Sequence, residues 1–246
     1  VISVELVGKE NVYNGTVDEF HNFYMGGWEG KNKFGKPKWT LINTKQCGEI
    51  CLSEYDSCRL LCVNLFSFVI NPFTKNARFD FDKMEKISEI AQRLMDDMID
   101  LEIEQIDKIL AKIEADPESD DSKYAERKLW NNIKDACING RRTGLGITAL
   151  GDALAALGIR YGSKESIVVT ESIYKALAIG SYRSSCVMAK ERGAFPVFDA
   201  NLEKGHPFLQ RIWDAAPDVY ELYKKYGRRN IANTTTAPTG SVSTLT

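Results

Sequence analysis

The chain has 246 residues, six cysteines and a formal net charge of −2 at neutral pH. That length suits one large domain or two modest ones, and so few cysteines exclude a disulfide scaffold. Because the charge is nearly balanced, no apolar run is long enough to span a bilayer and the first residues lack a signal-peptide pattern, we expect a cytoplasmic protein that binds neither nucleic acid nor a membrane.

Residues 1–43 show short alternations of apolar and polar side chains, which predict a small all-β segment. Within it, the basic and glycine-rich stretch at 28–38 predicts an exposed loop. The chain lacks an initiator methionine and stops inside an apparent structural element. We therefore expect it to be a fragment of a longer protein.

From residue 44 onward, strands and helices alternate as in an α/β barrel or a layered sheet. After residue 70, apolar side chains recur at helical spacing and trace one face, formed by Ile87, Ile90, Ala91, Leu94, Met98 and Leu101. The pattern continues to Ile113 and predicts one long helix or two with a kink, capped by Asp80 or Asp82. Further helices are predicted near 123–139, 148–157, 164–191, 206–214 and 217–226, with a strand at 230–236.

Four of the cysteines fall within sixteen residues, at Cys47, Cys51, Cys58 and Cys62. Glu49 follows Cys47 by two residues, and residues i and i+2 of an extended chain point the same way. This pattern places an oxidisable sulfur beside a proton-transfer group. The four thiols also leave open a zinc-stabilised binding module without catalysis.

Near the other end, residues 237–241 (APTGS) form a pattern typical of a loop that enters a helix. The first N–H groups of a helix favour phosphate, and Pro238 suits the first helical position because its missing N–H costs nothing there. A thiol, a carboxylate and a phosphate site together favour chemistry on a nucleotide.

The N-terminal segment contains a strand pattern at 12–13 (VY), then His21-Asn22-Phe23, then Asn43 followed by Thr44. In this order the motifs resemble the C-terminal splicing segment of inteins, over residues 1–43. The resemblance implies that the Asn43 amide attacks its own backbone carbonyl, that His21 assists the proton transfer, and that Thr44 is the hydroxyl nucleophile. Many inteins carry His where Ile42 stands, and splicing would need the upstream intein half, in cis or as a split partner.

Four further blocks follow in order: 46–50 (QCGEI), 55–58 (YDSC) with 64–65 (NL), 142–147 (RTGLGI) with 151–154 (GDAL), and 229–230 (RN) followed by 236–241 (TAPTGS). Over essentially all of 44–246 they resemble the large, catalytic chain of ribonucleotide reductases. The short interval between Cys47 and Cys58 resembles the adenosylcobalamin-dependent, class II branch most closely. The resemblance implies part of a ten-stranded α/β barrel, with Cys47 on its finger loop.

By the same resemblance, Cys47 carries the thiyl radical, Glu49 acts as general base on the ribose 3′-OH, and Cys58 is one of two thiols that become a disulfide. The substrate phosphates would be held by Pro238, Thr239, Gly240 and Ser241. The resemblance further implies adenosylcobalamin as cofactor, an external thiol reductant such as thioredoxin, an upstream reductase half as partner, a possible homodimer and no metal ligands in this chain. Lys45 stands where the family usually has a substrate-binding Asn, which leaves an inactive reductase remnant open.

Overall fold

A computed structural model describes residues 23–31, 37–44 and 49–245. In chain order its elements are β1 (Phe23–Lys31), β2 (Pro37–Thr44), β3 (Cys51–Leu52), β4 (Leu60–Asn64), a 3-10 turn (Leu65–Phe68), β5 (Val69–Ile70), β6 (Arg78–Phe79), α1 (Phe81–Ala115), α2 (Asp120–Gly140), β7 (Gly144–Thr148), α3 (Leu150–Ala156), α4 (Lys164–Arg192), α5 (Ala200–Glu203), α6 (Pro207–Ala215), α7 (Pro217–Tyr226), α8 (Thr239–Val242) and a last 3-10 turn (Ser243–Leu245).

The first three strands form an antiparallel sheet in the order β1–β2–β3. Strands β1 and β2 pair from Phe23 opposite Thr44 to Lys31 opposite Pro37, so the connecting loop is shorter than the predicted 28–38. Strand β2 also pairs with β3, with Asn43 opposite Leu52 and Thr44 opposite Cys51. The predicted boundary between residues 43 and 44 therefore falls inside this sheet.

A parallel sheet lies at the centre of the remaining chain. Strands β4 and β7 pair in parallel, from Leu60 opposite Gly144 to Asn64 opposite Thr148. Thr234 adds a parallel bridge to Leu145, and the backbone N–H of Thr235 donates to the Leu145 carbonyl at 3.0 Å. The predicted strand at 230–236 is thus reduced to one bridge beside β7, which gives the lateral order β4, β7, 232–235.

Helix α1 is one continuous helix of 35 residues, and the Asp80 side chain caps it by accepting from the Lys83 N–H at 3.0 Å. The apolar face traced from the sequence does not cover the core. Ala91 is buried and Ile87 half-buried, but the other four members are exposed: Ile90, Leu94, Met98 and Leu101. The buried face includes Ser88, Gln92 and Asp96, whose polar groups find partners far away in the sequence, which apolar periodicity does not reveal.

The main core fills the space between the parallel sheet and helices α1 and α4. Its largest fully buried members include Leu65, Met84, Met95, Leu145, Ile173 and Leu177. A second core packs α6 and α7 on the C-terminal half of α4. None of the described helices has both the length and the hydropathy required to cross a bilayer.

Candidate functional site

A cleft of about 910 Å³ opens at the carboxyl ends of the parallel strands. Asn64 ends β4, Thr148 ends β7 and Thr236 follows residues 232–235, which lie beside β7. All three side chains line the cleft. Its other wall is largely aromatic, with Phe66, Phe73, Tyr161 and Tyr174. Ligands of parallel α/β sheets bind outside the carboxyl ends of the strands, and this volume is in the range of small-molecule sites.

The predicted phosphate-binding loop reaches this cleft. Helix α8 begins at Thr239, which lines the cleft. The N–H groups of Ser241 and Val242 donate to the Pro238 carbonyl at 3.0 and 3.2 Å. The donors at the very start of the helix are therefore the N–H groups of Thr239 and Gly240, since leading N–H groups have no acceptor within a helix. For Ser241, the hydroxyl rather than the N–H is the group left for a ligand.

Gly240 borders open space. A Cβ added at this position would meet no atom within 4 Å, and the residue is exposed. A ligand oxygen can therefore approach the backbone here without displacing protein atoms.

The segment before the loop is held on two sides. The Tyr174 hydroxyl of α4 lies 3.1 Å from the Thr236 hydroxyl. The Thr235 hydroxyl donates to the backbone carbonyl of Glu49 at 3.1 Å. Glu49 thus lies beside the chain that leads to Pro238, half-buried and with one carboxylate oxygen fully buried.

Two glycines of β7 allow this close approach. A Cβ at Gly146 would lie 2.6 Å from the Thr235 carbonyl oxygen and 3.5 Å from the Cys62 sulfur, and one at Gly144 would lie 2.8 Å from the Thr235 methyl group. Their neighbours are the extended chain at Thr235 and residues of and next to strand β4.

The predicted redox residues are only partly described. Cys47 and His21 lie outside the described residues. Cys58 is half-buried and precedes β4 by two residues, at the strand end opposite the cleft. An extended strand separates Leu60 from Asn64 by about 13 Å. Accordingly, the described cleft lining includes Thr239 but neither Glu49 nor Cys58.

A buried ion-pair group fixes the stretch that carries Cys58. The Asp56 side chain is 1% exposed and accepts from Arg142 at 2.6 Å and from Arg59 at 3.4 Å. Arg59 also pairs with Glu102 of α1 at 2.5 Å. Asp56 and Arg142 entered the sequence analysis only as members of similar blocks, and no local signal indicated that they pair across 86 residues.

A second polar network centres on Asn230, which is fully buried. Its side-chain carbonyl accepts from Gln92 at 3.1 Å and from Ser185 at 2.9 Å. Its amide donates to Asp96 at 2.9 Å and to the Arg141 carbonyl at 3.0 Å. The network joins α1, α4 and the start of β7 to the segment that leads to Pro238, and sequence patterns gave no sign of it.

The carboxylates of Asp96, Asp97 and Asp100 lie within 4.8 Å of one another, as metal ligands do. However, the Asp96 oxygens already lie 2.8 Å from Arg141 and 3.4 Å from Arg229. These guanidinium groups neutralise the cluster, so we assign no metal to it.

Cys137 and Cys186 are fully buried. Burial raises the pKa of Cys186 to about 12 and that of Cys137 to about 11, the latter against the opposing charge of Arg59. Both thiols are therefore protonated at neutral pH, which suits packing and not redox chemistry.

Parallel strands joined by helical crossovers, with a cleft at their carboxyl ends, define an α/β domain of the kind that carries enzyme sites. A family model, "Ribonucleotide reductase, barrel domain", matches residues 31–246. The chain therefore belongs to the ribonucleotide reductase barrel family, which confirms the sequence resemblance at that level. The match begins before residue 44 and overlaps the last part of the predicted intein segment.

Curated relatives agree with this family. The chain is 29% identical over 203 residues to a vitamin B12-dependent ribonucleoside-diphosphate reductase of Mycobacterium tuberculosis (strain CDC 1551 / Oshkosh), covering 82% of this chain and 22% of the relative. The chain is 28% identical over 205 residues to a vitamin B12-dependent ribonucleoside-diphosphate reductase of Thermoplasma acidophilum, covering 83% of this chain and 21% of the relative. A ribonucleoside-diphosphate reductase large subunit of Monkeypox virus is 22% identical over 214 residues, with 83% and 25% covered. The chain thus spans about a fifth to a quarter of the length of these relatives.

Proposed function

We propose that this chain supplies active-site residues of a class II-type ribonucleotide reductase, which makes deoxyribonucleotides from ribonucleotides. The observation that carries the proposal is the convergence of the α8 start and the carboxyl ends of the parallel strands on one cleft. The names of the relatives from Mycobacterium tuberculosis and Thermoplasma acidophilum support the B12-dependent branch.

In this proposal the substrate phosphates bind at the start of α8. The N–H groups of Thr239 and Gly240 and the hydroxyls of Thr239 and Ser241 donate to phosphate oxygens, and Pro238 sets the helix start. The ribose lies deeper than the outer cleft, toward Glu49, because Thr235 joins the Glu49 backbone to the same loop.

The proposed chemistry is a thiol-driven reduction. The Cys47 thiyl radical takes hydrogen from C3′ and later returns it, while Glu49 accepts the 3′-OH proton and manages proton traffic as the 2′-OH leaves as water. Cys58 and a second thiol outside this chain give up two electrons and two protons and form a disulfide, which an external thiol reductant such as thioredoxin reduces again.

Adenosylcobalamin, the cofactor implied by the resemblance, supplies the initial radical when bound. Among the described residues that line the cleft there is no histidine, cysteine or methionine, whose nitrogen or sulfur atoms bind transition metals. We therefore assign no described residue to this cofactor.

Replacing Gly240 by valine tests the phosphate site in the complete reductase. The new side chain projects into open space, so the fold is retained, but it occupies the volume next to the leading N–H groups. We expect the KM for the ribonucleotide to rise at least about tenfold, which corresponds to roughly 1.4 kcal/mol of lost binding.

Ser172→Val is the matched control, since Ser172 is a half-buried helical residue outside the described cleft lining. Its KM should equal that of the wild type. An unchanged KM for Gly240→Val would show that the phosphates do not bind at this helix start.

The zinc alternative is disfavoured by geometry. Two sulfurs on one zinc lie within about 4 Å of each other, since each Zn–S bond is roughly 2.3 Å. Cys62 lies inside the extended strand β4 and Cys58 precedes that strand, whereas residues four apart in a strand are separated by about 13 Å.

We also propose that residues 1–43 act as the C-terminal segment of an intein, carried by the order of its motifs around His21, Asn43 and Thr44. The Asn43–Thr44 bond lies at the end of β2. Strand pairing would hold this bond in a fixed register for attack by the Asn43 side chain.

The splicing proposal predicts that Asn43→Ala blocks C-terminal cleavage in a precursor containing the upstream half. Alanine has no amide to close the succinimide, so the precursor should accumulate intact by mass spectrometry. Asn32→Ala, in the same segment, should leave cleavage at the wild-type level. Release of the same fragment from Asn43→Ala would refute the intein assignment.

A further inference from the structure

Tyr174 of α4 contacts the segment that leads to α8 through a pair of hydroxyl groups. Its hydroxyl oxygen lies 3.1 Å from that of Thr236, which is 62 residues further along the chain. Either hydroxyl can donate this hydrogen bond, because Tyr and Thr hydroxyls both donate and accept. Both residues line the cleft at the carboxyl ends of the parallel strands, as Thr239 does. The contact therefore lies at the wall of the proposed substrate site.

The Tyr174 ring has a fixed base. Its neighbour Ile173 is fully buried, and Leu177, about one turn further along α4, is 1% exposed. Both belong to the main core, and the half-buried Tyr174 packs against that core. Packing thus fixes the apolar body of the side chain, while its polar end reaches the exposed Thr236.

Few other bonds hold the chain between β7 and α8. Backbone hydrogen bonds to β7 end at Thr235, whose N–H donates to a carbonyl of that strand at 3.0 Å. The next backbone bonds belong to α8 and close on the Pro238 carbonyl. Between these two points, the described part of the chain shows one further hydrogen bond, that of Thr236 with Tyr174. The position of the α8 start thus depends on this hydroxyl pair and on the packing of the buried Ala237.

We propose that Tyr174 is a positioning residue for the substrate: its hydroxyl holds Thr236, and through it the donors at the α8 start that meet phosphate oxygens. This inference rests on the proposed function and adds to it a residue outside the phosphate-binding loop. Thr239 lies three residues beyond Thr236, so a shift of the segment moves the groups that contact the phosphates. Donors that are already held in place bind a ligand more tightly, because less conformational freedom is lost on binding.

A direct contact between the Tyr174 hydroxyl and the substrate is the competing role. The two roles differ in how they depend on Thr236. Positioning requires both hydroxyls, so removing either one has the same effect as removing both. A direct contact loses the same affinity on removal of the Tyr174 hydroxyl whether or not Thr236 still carries its own.

Tyr174→Phe in the complete reductase removes the hydroxyl and keeps the packing of the ring. We expect the Kd for the ribonucleotide, measured by titration calorimetry, to rise about three- to tenfold. This rise corresponds to roughly 0.6–1.4 kcal/mol, the usual net contribution of one hydrogen bond. The kcat should change less than about twofold, since the hydroxyl does not meet the reacting atoms. Tyr124→Phe, at an exposed tyrosine of α2 outside the described cleft lining, is the control and should keep the wild-type Kd.

Thr236→Val and the double variant distinguish the two roles. We expect both single variants and the double variant to have the same Kd within about twofold, because the second substitution removes no further contact. Thr236→Ser keeps the hydroxyl and should retain the wild-type Kd. Additive losses in the double variant would assign Tyr174 to a direct contact and overturn the positioning role.

Gly240→Val separates this inference from the phosphate site itself. A wild-type Kd in Tyr174→Phe beside a raised Kd in Gly240→Val overturns the inference alone. Wild-type values in both variants count against this inference and against phosphate binding at α8. A raised Kd in Tyr174→Phe beside a wild-type value in Gly240→Val also overturns the inference, because the effect then does not pass through the α8 start.

Discussion

A Cys47→Ser variant of the complete, spliced reductase is expected to form no detectable deoxyribonucleotide with adenosylcobalamin and a thiol reductant. Serine keeps the size and polarity of the side chain, so substrate binding and folding are preserved. The variant cannot abstract hydrogen from the ribose. An O–H bond is stronger than an S–H bond, so the serine does not form an oxygen radical in place of the thiyl radical. The measurement is product formation by chromatography, and ribonucleotide binding and the unfolding midpoint of the variant check that substrate binding and folding are retained.

Cys62→Ser is the matched control for this variant. Cys62 lies on β4 in the same cysteine cluster, is half-buried and has no role in the proposed reaction. Its product formation should stay near the wild-type rate. Retained activity in Cys47→Ser would refute the radical role, and stoichiometric zinc that disappears in Cys62→Ser would favour the binding-module alternative.

Replacing Lys45 by asparagine tests whether the chain belongs to an active enzyme or to an inactive remnant. If the wild-type reductase makes no product and Lys45→Asn does, the residue that replaced the usual Asn is the cause. If both make product, the substrate contact does not depend on this position.

Local signals predicted most helices of this fold. The cap at Asp80 and the apolar spacing after it predicted α1, and the predicted helix at 164–191 corresponds to Lys164–Arg192. Both signals depend on residues within a turn or two, so they are readable without the tertiary structure. The helix start after Pro238 was predicted for the same reason, since Pro238 and Gly240 act on local backbone geometry, and phosphate binding there stays a prediction.

Long-range polar contacts could not be predicted from such local signals. Apolar periodicity selected the side of α1 that contains Leu94, whereas the buried side contains Gln92 and Asp96. Those polar groups are buried because Asn230, far along the chain, completes their hydrogen bonds. The strand predicted at 230–236 is limited to a bridge at Thr234, and both backbone hydrogen bonds to residues 140–145 and the side chain of Asn230 hold this segment.

Asp96→Ala is expected to lower the free energy of unfolding by about 3–5 kcal/mol, the usual cost of leaving a buried charge without its partner. Asp96 is fully buried and accepts from Arg141 at 2.8 Å and from the Asn230 amide at 2.9 Å. Burial opposes the charge on Arg141, and hydrogen bonds to Asp96 and Asp100 reverse this and raise the Arg141 pKa. The guanidinium is 5% exposed, and without Asp96 its remaining carboxylate partner is Asp100, which is 46% exposed.

The adjacent residue provides the control for this prediction. Asp97 is 46% exposed and pairs with Arg192 at 2.6 Å, so Asp97→Ala should cost less than about 1 kcal/mol. Hydrogen exchange locates the effect: amides at 141–145 and 228–235 should lose protection in Asp96→Ala and keep it in Asp97→Ala. Because that second segment leads to Pro238, the KM for the ribonucleotide should rise only in Asp96→Ala. Equal unfolding midpoints for the two variants would mean that the Asn230 network holds the segment that leads to Pro238 without the buried charge of Asp96.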